Sequence, residues 1–250
     1  MSSAERRVVI ITQARMTSTR LPGKVAIEVL GKSLLEHHLE RLQRSRLKSQ
    51  VVVATTTNSS DDIIINICKG LGVAVYRGSE DDVLARYFHA ATKFAADIVV
   101  RVTSDCPLID PAVIDKIIAR YLSLEPNIDY VSNCRLKQTY PRGLDTEVFG
   151  FSGLKTAHEQ AREPFEREHV TPHLWQHPKQ FMLSNVEHDV DISRHRWTVD
   201  TPEDMDLIER ILRACYPSNP EFGLQDCINV LRENPAWENI NKHIEQKKIQ

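Results

Sequence analysis

The stretch Val8-Val9-Ile10-Ile11-Thr12 passes without a break into Gln13-Ala14-Arg15-Met16-Thr17-Ser18-Thr19-Arg20-Leu21-Pro22-Gly23-Lys24, so that a run of β-branched residues empties into a cationic, hydroxyl-rich loop. A short, near-continuous apolar run reads as a strand covered on both faces, the pattern of a parallel sheet. Val51 to Thr55, Val73 to Tyr76 and Ile98 to Val102 repeat it. Between these runs the period becomes helical. Leu34, Leu35, His38, Leu39 and Leu42 share one helical face, as do Leu84, Tyr87, Phe88 and Ala91, and then Ile114, Ile117, Ile118 and Tyr121. Strands alternating with helices predict an α/β fold, a three-layer, Rossmann-like, mostly parallel sheet.

Capping chemistry locates the helix starts. Ser79 with an acid three residues on, Asp82, predicts a capping box; Asp110-Pro111 predicts an N-cap followed by proline; Thr201-Pro202-Glu203-Asp204 carries both signals. From Tyr130 to Asp191 the pattern breaks into prolines, glycines, aromatics and histidines, which predicts an inserted arm. From Pro217 onward the sequence reads as a peripheral helical tail.

Composition removes several function classes. Of 250 residues 41% are hydrophobic and 26% charged, which excludes disorder, collagen-like repeats and coiled coil as descriptions of the whole chain. Lys and Arg number 32 against 34 Asp and Glu, a formal charge of −2, so there is no broad basic field and no nucleic-acid partner is expected. Apolar runs of about four residues are far short of a membrane span. Arg6 and Arg7 precede a run too short for a signal peptide, and a cytoplasmic protein is expected. The five cysteines are scattered and form no C-x-x-C pair, so they read as reduced core thiols.

In an open α/β sheet, ligands bind outside the carboxyl ends of strands, which is where the first loop begins. Arg15 and Arg20 offer planar forks and Lys24 a point charge to phosphate oxygens; the alternative is a solvated basic loop. Gly31-Lys32-Ser33 imitates the end of a P-loop, but Ala26 stands where glycine is required, and no G-x-G-x-x-G follows the first strand. Asp105 follows the strand Ile98 to Val102 and is expected at the same crevice. Together with Asp200 and phosphate oxygens it would make a hard-oxygen site suited to Mg²⁺, although a charge beside a helix N-terminus is a plainer use for Asp200. His169, His173 and His177 recur every four residues, yet Pro172 and Pro178 interrupt them, and zinc fits poorly. Asp189-Val190-Asp191 spells the D-x-D of nucleotide-sugar glycosyltransferases, a frequent chance pattern.

Gln13 to Lys24 closely resembles the nucleotide-binding signature of the cytidylyltransferases that activate sugar acids as CMP-sugars, including the CMP-Kdo and acylneuraminate synthetases. The segments Arg77 to Leu84, Thr103 to Asp110, Arg142 to Phe149, Glu166 to Pro172 and Val199 to Asp204 are similar to the spore-coat polysaccharide protein F branch of that family. The resemblance therefore spans nearly the whole chain. It implies the nucleotide-diphospho-sugar transferase type of fold, one nucleotidyltransferase domain over 1–250 and an acceptor-side insertion at 130–191. It implies transfer from CTP to a sugar acid or related acceptor with release of pyrophosphate, dependent on Mg²⁺, for surface polysaccharide synthesis.

By the same resemblance Arg15, Arg20 and Lys24 hold the triphosphate, helped by backbone amides near Ala14 and Met16. Thr55, Arg77, Ser79 and Asp82 border the base and ribose, with Arg86 close by. Asp105 and Asp200 bind the metal and, with Arg15 and Lys24, form the catalytic set. Arg142, Asp145 and Glu147 are candidates for acceptor contacts, and His169, in a segment the family associates with the acceptor sugar and the subunit interface, is a candidate for either. Bland uses compete: a capping box for Ser79 and Asp82, and a turn with an edge strand for Arg142 to Glu147. A homodimer is expected through the insertion, with Leu174, Trp175 and Phe181 as its apolar core; the alternative is that these residues merely cover the sheet. Two rivals remain open. A nucleotide-sugar-dependent glycosyltransferase of the same fold would release no pyrophosphate, and a non-catalytic nucleotide-binding protein would bind CTP without turnover.

Overall fold

The computed structural model describes residues 6–245. Strand β1 (Val8–Gln13) leads through the cationic loop to a small antiparallel hairpin, β2 (Glu28–Val29) and β3 (Lys32–Ser33), and on to helix α1 (Leu34–Gln43). The alternation continues with β4 (Gln50–Thr56), α2 (Asp62–Gly70), β5 (Ala74–Gly78), α3 (Val83–Lys93), β6 (Ile98–Thr103) and α4 (Pro111–Leu124). There follow β7 (Tyr130–Ser132), β8 (Glu147–Gly150), α5 (Phe151–Gln160), α6 (Pro164–His169), α7 (Pro172–Trp175), β9 (Leu183–Asn185), α8 (Pro202–Cys215) and α9 (Leu224–Glu233). The main sheet has the order β5-β4-β1-β6-β8-β7-β9. Its first four strands are parallel, β8 runs antiparallel to β6 and β7, and β9 is parallel to β7. From β1 the chain moves outward to β4 and β5, then returns to the other side of β1 as β6. The loops leaving β1 and β6 therefore diverge, and a crevice opens between them.

Both faces of the sheet are covered, which is why the central strands read as unbroken apolar runs. Val8, Ile10, Val51, Val53, Ile98 and Val100 enter one core with residues of α1, α4, α8 and α9. Val9, Ile11, Val52, Ala54 and Val99 enter the other with residues of α3, α5 and α7. The alternation is the two-residue period of a strand. Asp110 caps α4 by accepting from the Ala112 and Val113 amides, and Thr201 caps α8 by accepting from the Asp204 amide. The capping box expected at Ser79 is not formed. Asp82, immediately before the apolar face of α3, is the cap and accepts from the Ala85 amide at 2.9 Å, while Ser79 Oγ accepts from the Asp82 amide.

The segment 130–191 extends the sheet rather than standing apart from it, since it supplies β7, β8 and β9. Strands of three or four residues are too short for alternation to register in the sequence. Leu174 and Phe181, expected at a subunit interface, are buried in the second core with Trp175 packed against it. Leu174 and Phe181 cover this chain's own sheet, which leaves only the half-buried Trp175 of the three with surface for a subunit contact.

Gly143 fastens this segment to the approach to α8. The Arg142 amide donates to the His195 carbonyl, and the Trp197 amide donates to the Arg142 carbonyl. Gly143 has φ +102°, and a β-carbon there would lie 2.7 Å from the Trp197 carbonyl carbon and oxygen. Backbone cannot yield as a flexible side chain does. Gly143→Ala is therefore expected to cost about 1–3 kcal/mol or more, read as a lowered Tm. Gly70→Ala, where nothing lies within 4 Å of the new carbon, is the matched control. Equal melting of the two variants would count against this close approach.

Candidate active site

The crevice between β1 and β6 opens into a cleft of about 1090 Å³. Ala14, Arg15, Arg20 and Lys24 line it from the first loop, together with Asp105 and Asp200 and with Arg142, Asp145, Glu147 and His169.

The buried Lys24 ammonium donates to Asp105 Oδ2 at 2.8 Å, Asp200 Oδ1 at 2.9 Å and the Val199 carbonyl at 2.7 Å. The second oxygen of Asp200 meets Arg20 at 2.9 Å and Arg196 at 2.8 Å. Residues far apart in sequence thus converge on one nitrogen. The Val199 amide donates to the Asp105 carbonyl at 2.8 Å, which pins the Asp200 segment to the loop after β6. Arg196 is held in turn by Asp204 at 2.9 and 3.0 Å, and Asn241 donates to Asp204 and to the Arg196 carbonyl. Burial by itself would raise the Asp105 carboxyl, but the Lys24 ammonium outweighs it through charge and hydrogen bond and holds the group below the usual carboxylate range. Burial would likewise lower the Lys24 ammonium; Asp105 and Asp200 more than offset it, and the group is raised.

The nucleotide side differs from the sequence expectation in its details. The Ala14 amide already donates to the Ala54 carbonyl at 3.3 Å and the Met16 amide to Asp61 at 2.8 Å, so neither stands open to a phosphate. Thr55 is fully buried, and its hydroxyl donates to Asp61 at 2.9 Å. Arg77 donates to the Thr56 and Asn58 carbonyls and to Asp62. Asp82, besides its capping role, is gripped by Arg167. Met16, Thr55, Arg77, Ser79 and Asp82 are not among the residues lining the cleft, whereas Arg86 is. The organiser is Asp61, a buried carboxylate that collects donors from Met16, Thr55 and Thr56 and so ties the loop after β1 to the loop after β4. Glu80, also unforeseen, lines the cleft and accepts from Asn58 at 2.6 Å and from Thr17, with Arg15 at 3.5 Å.

On β8, Glu147 is a hub. Arg101 of β6 and Glu147 of β8 are cross-strand partners. The buried carboxylate accepts from Arg101 and Arg135 on one oxygen and from the Tyr130 and Thr171 hydroxyls on the other. Burial pushes this carboxyl up, but Arg135 and Arg101 outweigh it and bring the group down to about 2. With its oxygens so engaged, Glu147 orients Arg101 and Arg135, which themselves line the cleft. Arg101 had a sequence signal: a charge interrupting an apolar strand. Arg135 and Arg196 had none, because they lie in irregular segments where no period exists for them to break. Asp145 is pushed up chiefly by burial.

A doubly covered α/β sheet with a cationic loop and two convergent aspartates at its switch point is the layout of a nucleotidyltransferase. A family model described as cytidylyltransferase matches residues 9–240, and the chain belongs to the cytidylyltransferase family. It is 30% identical to the spore coat polysaccharide biosynthesis protein SpsF of Bacillus subtilis, over 91% of this chain and 95% of that one. A 3-deoxy-manno-octulosonate cytidylyltransferase of Geobacter sulfurreducens is 41% identical over 114 residues, 45% of this chain and 44% of that one. A cytidylyltransferase structure from Leptospira borgpetersenii superposes with a TM-score of 0.89 at 36% identity, covering 97% of this chain and all of the other.

Proposed function

We propose that the protein transfers CMP from CTP to a hydroxyl of a sugar acid or related anionic acceptor, with release of pyrophosphate, in the making of a surface polysaccharide. The observation that carries this reading is the meeting of Arg20 and Lys24 with Asp105 and Asp200 in a cleft that Arg101, Arg135 and Arg142 also line. The names of the Bacillus and Geobacter relatives support the polysaccharide setting and the sugar-acid acceptor. The triphosphate is taken by Arg15, Arg20 and Lys24. The guanidiniums of Arg101, Arg135 and Arg142 suit a carboxylate or phosphate by planar pairing, and Asp145 and His169 line the same cleft. The acceptor hydroxyl oxygen attacks the α-phosphorus in line and its proton passes to solvent, the bond from that phosphorus to its bridging oxygen breaks, and the cationic loop stabilises the charge that leaves with pyrophosphate.

Asp105 and Asp200 fit Mg²⁺. Among the described residues no group of three or more His, Cys, Asp or Glu could hold a metal ion by itself, and Mg²⁺ is commonly held by one or two carboxylates plus substrate phosphates. When bound, it supplies Lewis-acid stabilisation of the phosphate oxygens. A reducing cytoplasmic setting suits the five unpaired, buried cysteines. No helix among the described residues is long and apolar enough to cross a membrane.

Incubation with each nucleoside triphosphate, Mg²⁺ and fractionated cell extract should yield a new CMP-conjugate by mass and pyrophosphate with CTP. Binding of CTP with no pyrophosphate from any fraction would overturn the transfer. Arg20→Ala should weaken CTP binding by about 1.5–3 kcal/mol, the worth of a hydrogen bond to a charged group, with little change in Tm. Unaltered affinity by calorimetry would remove the loop as the triphosphate site.

A further inference from the structure

We infer that Lys24 is the resident cation of the Asp105 and Asp200 pair, and that a divalent ion enters there only as an arriving triphosphate draws the ammonium away. Nucleotide and metal then bind as a coupled pair. This rests on the metal-assisted transfer proposed above and adds to it an order and the cause of that order.

Three acceptors stand between 2.7 and 2.9 Å from the one nitrogen: Asp105 Oδ2, Asp200 Oδ1 and the Val199 carbonyl. An ammonium has three protons, so its capacity is filled. The carboxylate oxygens that fill it are those a metal would use. Charge points the same way. Arg20 and Arg196 also close on Asp200, and Asp204 pairs with Arg196, so three carboxylates already face three cationic side chains before any metal arrives. A divalent ion on its own would bring surplus positive charge to a balanced cluster, and the buried members of that cluster are weakly screened.

A triphosphate reverses this balance. It brings several negative charges to a loop that carries Arg20 and Lys24 together. The loop backbone is fixed by the Gly23 amide donating to the Met16 carbonyl and the Ala26 amide donating to the Gly23 carbonyl, both at 2.9 Å. The lysine stem is flexible. The ammonium can therefore leave the carboxylates for phosphate oxygens while the backbone stays in place. The freed carboxylates then adjoin those phosphates, the mixed donor set that Mg²⁺ favours. By linkage, nucleotide raises metal affinity by the factor with which metal raises nucleotide affinity.

Mn²⁺ binding, read from the electron paramagnetic resonance of the free ion, tests this on wild type, Lys24→Met and Lys24→Gln, with thermal melts to confirm folding. Without nucleotide, both variants should bind Mn²⁺ about tenfold tighter or more, within the usual range of coupling between sites. Mg²⁺ alone should raise the Tm of the variants and not that of the wild type. CTP should tighten Mn²⁺ binding to the wild type by a larger factor than to either variant. Equal nucleotide-free Mn²⁺ affinity in all three, with CTP-dependent binding still lost in Asp105→Asn, overturns the role of Lys24 and leaves the metal site standing. CTP-dependent Mn²⁺ binding unchanged in both Asp105→Asn and Asp200→Asn removes the metal site and this inference with it.

Discussion

Replacing Asp105 with Asn should lower CTP-dependent pyrophosphate release by about a hundredfold or more, since the Lewis-acid contribution at stake is several kcal/mol and about 1.4 kcal/mol is a factor of ten. Asp200→Asn should do the same. Folding should survive both changes, because the cations are shared. Without Asp105, Lys24 keeps Asp200; without Asp200, Lys24 keeps Asp105 and Arg196 keeps Asp204. Asp105→Asn weakens one charge-assisted contact and Asp200→Asn three, from Lys24, Arg20 and Arg196, so the Asp200 variant should melt lower, but neither change leaves Lys24 or Arg196 without an anion. The double variant should turn over little more slowly than either single one, as residues acting as a unit are strongly non-additive. Metal titrations of pyrophosphate release in the four proteins, with melts alongside, measure this. Should Asp200→Asn keep near-normal turnover and metal dependence while Asp105→Asn does not, Asp200 is only a counter-charge for Arg20 and Arg196.

Glu147→Gln is expected to cost about 3–5 kcal/mol of folding stability, the range for removing one partner of a buried ion pair. The change is nearly isosteric, so packing is not the cause. Four donors meet the Glu147 carboxylate. Gln offers one acceptor oxygen and turns an NH₂ toward donors, while Arg101 and Arg135 lose their anion. The pH dependence has a definite sign. Glu147 lies at about 2 against an ordinary 4.5, so the folded state holds it ionised while the unfolded chain takes up a proton first. Its contribution is complete above 4.5 and is lost as pH falls toward 2. Denaturant titrations of wild type should therefore show stability falling with acid through that window, and Glu147→Gln should show a flatter dependence there. Parallel slopes in the two proteins would mean that Glu147 is not the group titrating.

The residues around Glu147 also illustrate how far local signals reach. Arg142, Asp145, Glu147 and His169 were read from a motif resemblance, and all four line the cleft. For Glu147, however, the resemblance says nothing of its engagement with Arg101, Arg135, Tyr130 and Thr171, which makes it a positioning residue. Thr55 and Arg77 show the converse. Arg77 stands three residues before the cleft-lining Glu80, and Thr55 stands at the end of β4, yet Asp61 and the Thr56 and Asn58 carbonyls claim them.

The sequence by itself determined the α/β class, the central strands, the caps of α4 and α8, and the cationic loop at the end of β1, because each depends on residues within a few positions of one another. A strand buried on both faces must be apolar along its length, and a helix start must satisfy its first amides, so these demands are written locally. Tertiary structure alone decided the rest. The order β5-β4-β1-β6 creates the crevice; the short strands β7, β8 and β9 join the sheet by pairing that no short pattern encodes; and Lys24, Asp105 and Asp200, separated by up to 176 positions, meet on one nitrogen. Charges so distant in sequence have no local reason to pair. They pair because the fold brings them within reach of one another at low exposure, where a charge poorly served by water needs a counter-charge.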